Sequence, residues 1–216
     1  MTTSLKFGDR FPVEFFGSLK KDVVGGLDFS KAISSGRAKI LDIVDSCDIS
    51  SSGKDFCRAC FDVCASEFFY MPTSSTGKYH GGLVSGCNCI GGNVVHTSEV
   101  LGMSDRVLGR YESVLGVFYK ELAECLRIAC ILHDICKYPS GELYTSREHG
   151  ELGAELIRGV GCSYDWKGLI AEAVQNHMYA WKFQTVFDYI RTFDGGSLNW
   201  MFLSFMLSEC DYYSFK

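Results

Sequence analysis

The stretch ACILHDICKYP, residues 129–139, constrains this chain more than any other. It sets His133 and Asp134 side by side at the end of an apolar run. Leu122, Leu126, Ala129 and His133 are spaced by four, three and four, so they share one stripe of a helix predicted over residues 118–137. The stripe must face a core, and it carries an imidazole and a carboxylate in with it. Neither group is stable unpaired in an apolar interior. A metal ion would satisfy both. Pro139, Ser140 and Gly141 then stop the helix.

Four further stripes repeat the pattern. His96, Val100, Met103 and Val107 follow one another at spacings of four, three and four, with Asn93 as the expected cap. Thr145 and Glu148 have capping-box spacing, ahead of His149, Leu152, Leu156 and Ile157 on one face. Asp165 is the expected cap of a helix lining up Leu169, Ala173 and His177, and Ser197 that of a last helix with Trp200, Leu203, Leu207 and Asp211. Five helices, each sending one such group inward, describe an all-α bundle around a buried metal site. Imidazole mixed with carboxylate suits iron, manganese, zinc, cobalt or nickel better than calcium. His96, His133, Asp134, His149, His177 and Asp211 exceed the needs of one tetrahedral zinc and can hold two divalent ions, with Asp134 bridging them.

The rest of the chain sets the frame. A length of 216 residues suits one domain with a sizeable core. A net charge of −5 offers no general attraction for nucleic acid or an anionic membrane, so nucleic acid enters only as a substrate. No apolar run reaches membrane-spanning length, and the start MTTSLKFGDR lacks a secretory apolar region, so a cytoplasmic setting with reduced thiols is expected for the eleven cysteines. Residues 1–53 are expected to pack as an N-terminal segment of the same domain, with a short helix over Ala38–Val44 and a loop over residues 48–53; residues 54–216 form the helical core. Residues 54–69 suggest one helix, with Phe56, Cys60, Val63 or Cys64, and Phe68 inward and Pro72 beyond its end. Cys57 and Cys60 have C-x-x-C spacing, and Cys87 and Cys89 follow. Zinc is one reading, but a pair inside a helical pattern is expected to be buried thiol. The Ser- and Gly-rich stretch after Pro72 offers Ser75, Lys78 and His80 as a substrate lip. Arg147 beside His149 is a further candidate phosphate contact.

The order His96, His133 with Asp134, then Asp211, all on helices, resembles the HD-domain metal-dependent phosphohydrolases. ILHDICKYP is similar to that family's HD-x-x-K signature, with Lys137 as its lysine, and EHGELGAELI is similar to its H-x-x-x-G-A-x-L-I segment. QNHMYAW, SSTGKYH and GGNVVHT resemble HD proteins of bacteria and their phages that carry a GKYH loop. The resemblance covers about residues 65–215, with Asn93 and Val94 where the family has a more regular GGLV, and no GYP motif. It implies hydrolysis of a small phosphorylated substrate, a nucleotide or phosphodiester, by a metal-activated water, with Asp134 and Lys137 catalytic. HD-type di-iron oxygenases share the ligand set. A metal-dependent nucleotide-binding regulatory module and a zinc-stabilised interaction protein are the non-enzymatic alternatives.

Overall fold

The computed structural model describes residues 28–74, 89–142, 144–178 and 200–214, and the regular structure among them is helical throughout. Helix α1, Phe29–Ser46, is much longer than the expected Ala38–Val44 piece. Asp28 starts it by accepting the Lys31 N–H at 3.1 Å, and Ile40 and Val44 lie buried along its inner face. Helix α2, Ser51–Val63, begins inside the expected loop because the Ser50 hydroxyl accepts the Gly53 N–H at 3.1 Å. The boundary drawn after residue 53 therefore falls within its first turn.

The single helix expected over residues 54–69 is two. α2 ends at Val63, and the short α3 spans Glu67–Tyr70. The Arg37 guanidinium takes the Phe61 carbonyl at 3.4 Å and pairs with Asp62, satisfying groups at the end of α2 from outside. The break also turns the stripe: Phe56, Cys60, Phe61 and Phe68 are buried, whereas Val63 is 60% exposed.

Helix α4, Gly92–Leu115, starts from Gly91 at φ +76°, not from an Asn93 cap. The segment before the Ser/Gly-rich stretch pins this start: Gly91 N–H donates to Tyr70 O at 2.8 Å, Asn93 N–H to Met71 O at 3.0 Å, and the Thr73 hydroxyl to Gly92 O at 2.9 Å. A 3₁₀ turn, Gly116–Phe118, leads into α5, Tyr119–Leu132. α5 ends before the expected residue 137, with His133 at its C-cap still in helical conformation and the next residues in turns. From Cys125 to Leu132 every apolar side chain of α5 has no exposure, so this helix is the buried centre of the bundle and not an amphipathic one.

Helix α6, His149–Gly159, has Glu148 at its N-cap without a side-chain bond, and the Thr145–Glu148 capping box does not form; the Ser146 hydroxyl accepts the Glu148 N–H at 3.1 Å instead. Helix α7, Lys167–Asn176, begins from Trp166, one residue past the expected Asp165 cap. Helix α8 spans Trp200–Ser214, and its expected cap Ser197 lies outside the described residues. α6 packs on α7, and α8 lies across α4, α5 and α7, enclosing one apolar cluster that runs from Ile40 to Cys210. At Gly150 α6 comes close to the backbone of α7: a Cβ there would stand 2.8 Å from Gln175 O and 3.0 Å from Val174 O.

Cys57 and Cys60 are fully buried free thiols on α2, as their helical setting implied. Burial pushes the Cys57 thiol well up and that of Cys60 to about 12, so neither is a ready thiolate. Cys89 is exposed and Cys87 lies outside the described residues. No described helix is long and apolar enough to cross a membrane.

Candidate metal centre

Each apolar stripe delivers its polar end to one place. His96 comes from the second turn of α4, His133 from the end of α5, His149 from the start of α6, His177 from the end of α7 and Asp211 from α8. All of them are buried, as are Asp134 and Lys137. Their donor atoms form two groups, His96 with His133 and Asp211, and Asp134 with His149 and His177, each within 4.8 Å internally. Among the described residues no group able to hold a metal contains a cysteine.

Asp134 stands between the groups. Its Oδ1 lies 3.2 Å from His149 Nε2, while its Oδ2 lies 3.2 Å from His133 Nε2 and 3.6 Å from His96 Nε2. Lys137 Nζ, one turn on, meets Oδ2 at 2.5 Å. Lys137 is therefore a buried partner of this carboxylate and not a solvated lysine at a helix end.

The hydrogen bonds of the rings show what the arrangement is for. His133 Nδ1 faces Cys130 O at 2.8 Å, His149 Nδ1 faces Ser146 O at 2.8 Å and His177 Nδ1 faces Val174 O at 2.6 Å. A carbonyl only accepts, so each Nδ1 carries a hydrogen, and in a neutral ring so held the lone pair of Nε2 turns inward. His149 Nε2 and His177 Nε2 then stand 3.3 Å apart, and His133 Nε2 and His96 Nε2 3.4 Å apart. Where both rings of such a pair present lone pairs, they repel at that distance unless a cation lies between them. Asp211 Oδ1 lies 3.1 Å from His96 Nε2, close enough for both to serve one ion. The residues present thus fit divalent ions of the imidazole-and-carboxylate class.

The electrostatics agree. Burial pushes His96 down and brings His177 to about 3, with the neighbouring His149 and His133 adding to the latter. Burial works against charge on His133 as well, but the Asp134 carboxylate outweighs it and raises that ring. Burial likewise opposes ionisation of both carboxylates, and the surrounding imidazoles, with Lys137 beside Asp134, hold them below the usual range. The two carboxylates and the His96 and His177 imidazoles are thus biased toward the deprotonated form that a metal requires.

The remaining sequence candidates fall elsewhere. Ser75, Lys78 and His80 lie outside the described residues, and Arg147 is exposed on the turn before α6. Three features escaped the sequence reading. One is the buried Asn93 one turn before His96. The second is the Ser208 hydroxyl of α8, which donates to His177 O and fixes the end of α7. The third is Gly150, whose position directly after His149 was the available signal of close helix approach.

No curated protein and no solved structure matches the chain. A family model described as HD domain matches residues 94–192, from the first turn of α4 past the end of α7, a stretch that contains His96, His133, Asp134, His149 and His177.

Proposed function

We propose that the chain is a metal-dependent phosphohydrolase acting on a nucleotide or another small phosphodiester or phosphomonoester, with two divalent transition-metal ions held by His96, His133 and Asp211 on one side and His149 and His177 on the other, and bridged by Asp134. The observation that carries this reading is the placement of Asp134, one oxygen directed to each group of imidazoles. Iron, manganese, zinc, cobalt and nickel all suit the donors. When bound, such ions acidify a water and neutralise charge on the phosphoryl oxygens.

The chain's own residues supply the rest. The Nδ1–H bonds to backbone carbonyls hold the His133, His149 and His177 rings in one tautomer and orientation. Lys137 fixes the Oδ2 edge of Asp134 and keeps a positive charge beside the place where negative charge grows on the phosphoryl group. Burial of these groups keeps bulk water away and strengthens every charge interaction among them. Arg147 at the rim, with Ser75, Lys78 and His80, is the candidate set for the outer part of the substrate.

The test is metal-reconstituted protein against phosphomonoesters, an aryl phosphodiester, nucleoside mono- and triphosphates, cyclic nucleotides and short oligonucleotides, in ¹⁸O-labelled water. Label on the phosphoryl product without a need for dioxygen supports the reading. A requirement for dioxygen with unlabelled phosphorus points to oxygenase chemistry, and tight nucleotide binding without turnover to a regulatory module.

A further inference from the structure

The first turn of α4 holds a side chain for which the metal centre has no use. Asn93 is fully buried, and neither its amide oxygen nor its amide nitrogen has a hydrogen-bond partner. Its backbone is by contrast engaged on both sides: the N–H donates to Met71 O at 3.0 Å, and the carbonyl accepts from the Thr97 hydroxyl at 3.0 Å. A buried amide with both polar atoms unmet weakens the folded state. An apolar side chain of the same shape would not, so the amide calls for a ligand.

Its place in the fold says where that ligand lies. Asn93 and His96 are three residues apart and share a face of α4. A helical side chain lies over the turn preceding its own Cα, which sets the His96 imidazole over the Asn93 turn. Residues 71 and 73, which bond this turn, flank Pro72, whose carbonyl receives the Tyr138 hydroxyl at 2.7 Å, next to Lys137. Asn93 therefore sits in the wall between the His96 side of the metal centre and the Lys137–Tyr138 turn.

The unmet atoms define the ligand's chemistry. Phosphate oxygens of a dianion only accept and would leave the amide oxygen unpaired. A cation would take the oxygen and leave the nitrogen. An apolar group satisfies neither. A hydrogen-bond donor beside an acceptor satisfies both, and a sugar hydroxyl or the edge of a nucleobase presents that pair. We propose that Asn93 is a specificity-determining residue that recognises a donor–acceptor pair on the organic part of the phosphate ester; this rests on the phosphohydrolase reading and names what that substrate carries beyond its phosphate.

Calorimetric binding to the metal-loaded full chain tests it without requiring turnover. The probes are adenosine 5′-monophosphate, its 2′,3′-dideoxy analogue, ribose 5-phosphate and phenyl phosphate. Asn93→Leu keeps the branched shape and removes the polar atoms. It is expected to weaken adenosine monophosphate by about ten- to a hundredfold, to leave phenyl phosphate unchanged, and to raise the melting temperature of ligand-free protein by about 2–8 °C. Asn93→Ala should show the same selectivity, and it decides the matter if the leucine variant does not fold. Ribose 5-phosphate keeping its dependence on Asn93 while the dideoxy nucleotide loses it assigns the pair to the sugar, and the reverse assigns it to the base. Equal weakening of all four probes, a lowered melting temperature in both variants, or wild-type binding no tighter to the nucleotide than to phenyl phosphate overturns the proposal. Protein that binds the nucleotide selectively but hydrolyses no phosphate ester would sink the hydrolase reading and leave the role of Asn93 standing.

Discussion

The two halves of the centre are built differently. His96 and His133 come from α4 and the end of the next helix, α5, and Asp211 from α8, which joins them only through tertiary packing. This half has a carboxylate of its own. His149 and His177 come from α6 and α7, which are consecutive and touch at Gly150, and among the described residues the carboxylate grouped with them is Asp134. Asp134 also leans on the first half and on Lys137. The charges follow: His177 is pressed to about 3 by burial and its imidazole neighbours, whereas Asp134 outweighs burial and raises His133. The second half thus depends on a group it shares, and the first half is closer to self-sufficient.

Substitution of the shared group should have the largest effect. Asp134→Ala removes a donor from both halves and leaves Lys137 a buried, uncompensated cation. Phosphohydrolase activity should fall to background and both ions should be lost on gel filtration. Full metal content in a folded Asp134→Ala protein would dissolve the comparison. Lys137→Ala should be milder, because the donors all remain. One lost charge-assisted contact to the transition state costs about 2.7–4 kcal/mol, or roughly 10²–10³ in rate, with both metals retained.

Gly150→Ala sharpens the contrast, since it acts on one half only. The new methyl meets the backbone of Gln175 and Val174, so α6 must move away from α7 or the core must absorb strain of about 1–3 kcal/mol. Titration should then show roughly tenfold or greater weakening of one metal step and an unchanged other. The smallest effect belongs to the cysteines of α2. Cys57→Ser with Cys60→Ser is expected to lower stability by about 1–3 kcal/mol in denaturant unfolding, through buried hydroxyls, and to leave metal content and activity per folded molecule unchanged.

The sequence made the buried histidine and aspartate cluster legible because helical periodicity carries it: each member on a helix is the polar end of an apolar stripe, and a stripe has one inward side. His96, His133, His149, His177 and Asp211 were found in that way, and Asp134 by adjacency. Helix ends were less legible. Asn93, Thr145 and Asp165 have capping chemistry, but the chain starts those helices from Gly91, Glu148 and Trp166, where backbone bonds to other segments or a neighbouring hydroxyl serve instead. The end of α2 is met by Arg37 from α1, a partner that no local window contains. Asn93 reads as a cap because an asparagine before an apolar run ordinarily is one. Its burial with both polar atoms unmet is visible only in three dimensions.

The central claim is that two unequal metal positions share Asp134, and metal content measured across single-ligand variants tests it most directly. Elemental analysis of folded protein, reconstituted with one metal at a time, should give about two ions per chain for the wild type. It should give about one for His149→Ala and for His177→Ala, each with the helical circular-dichroism signal intact. Full wild-type content in both variants, or one ion in the wild type that persists in both, would contradict it.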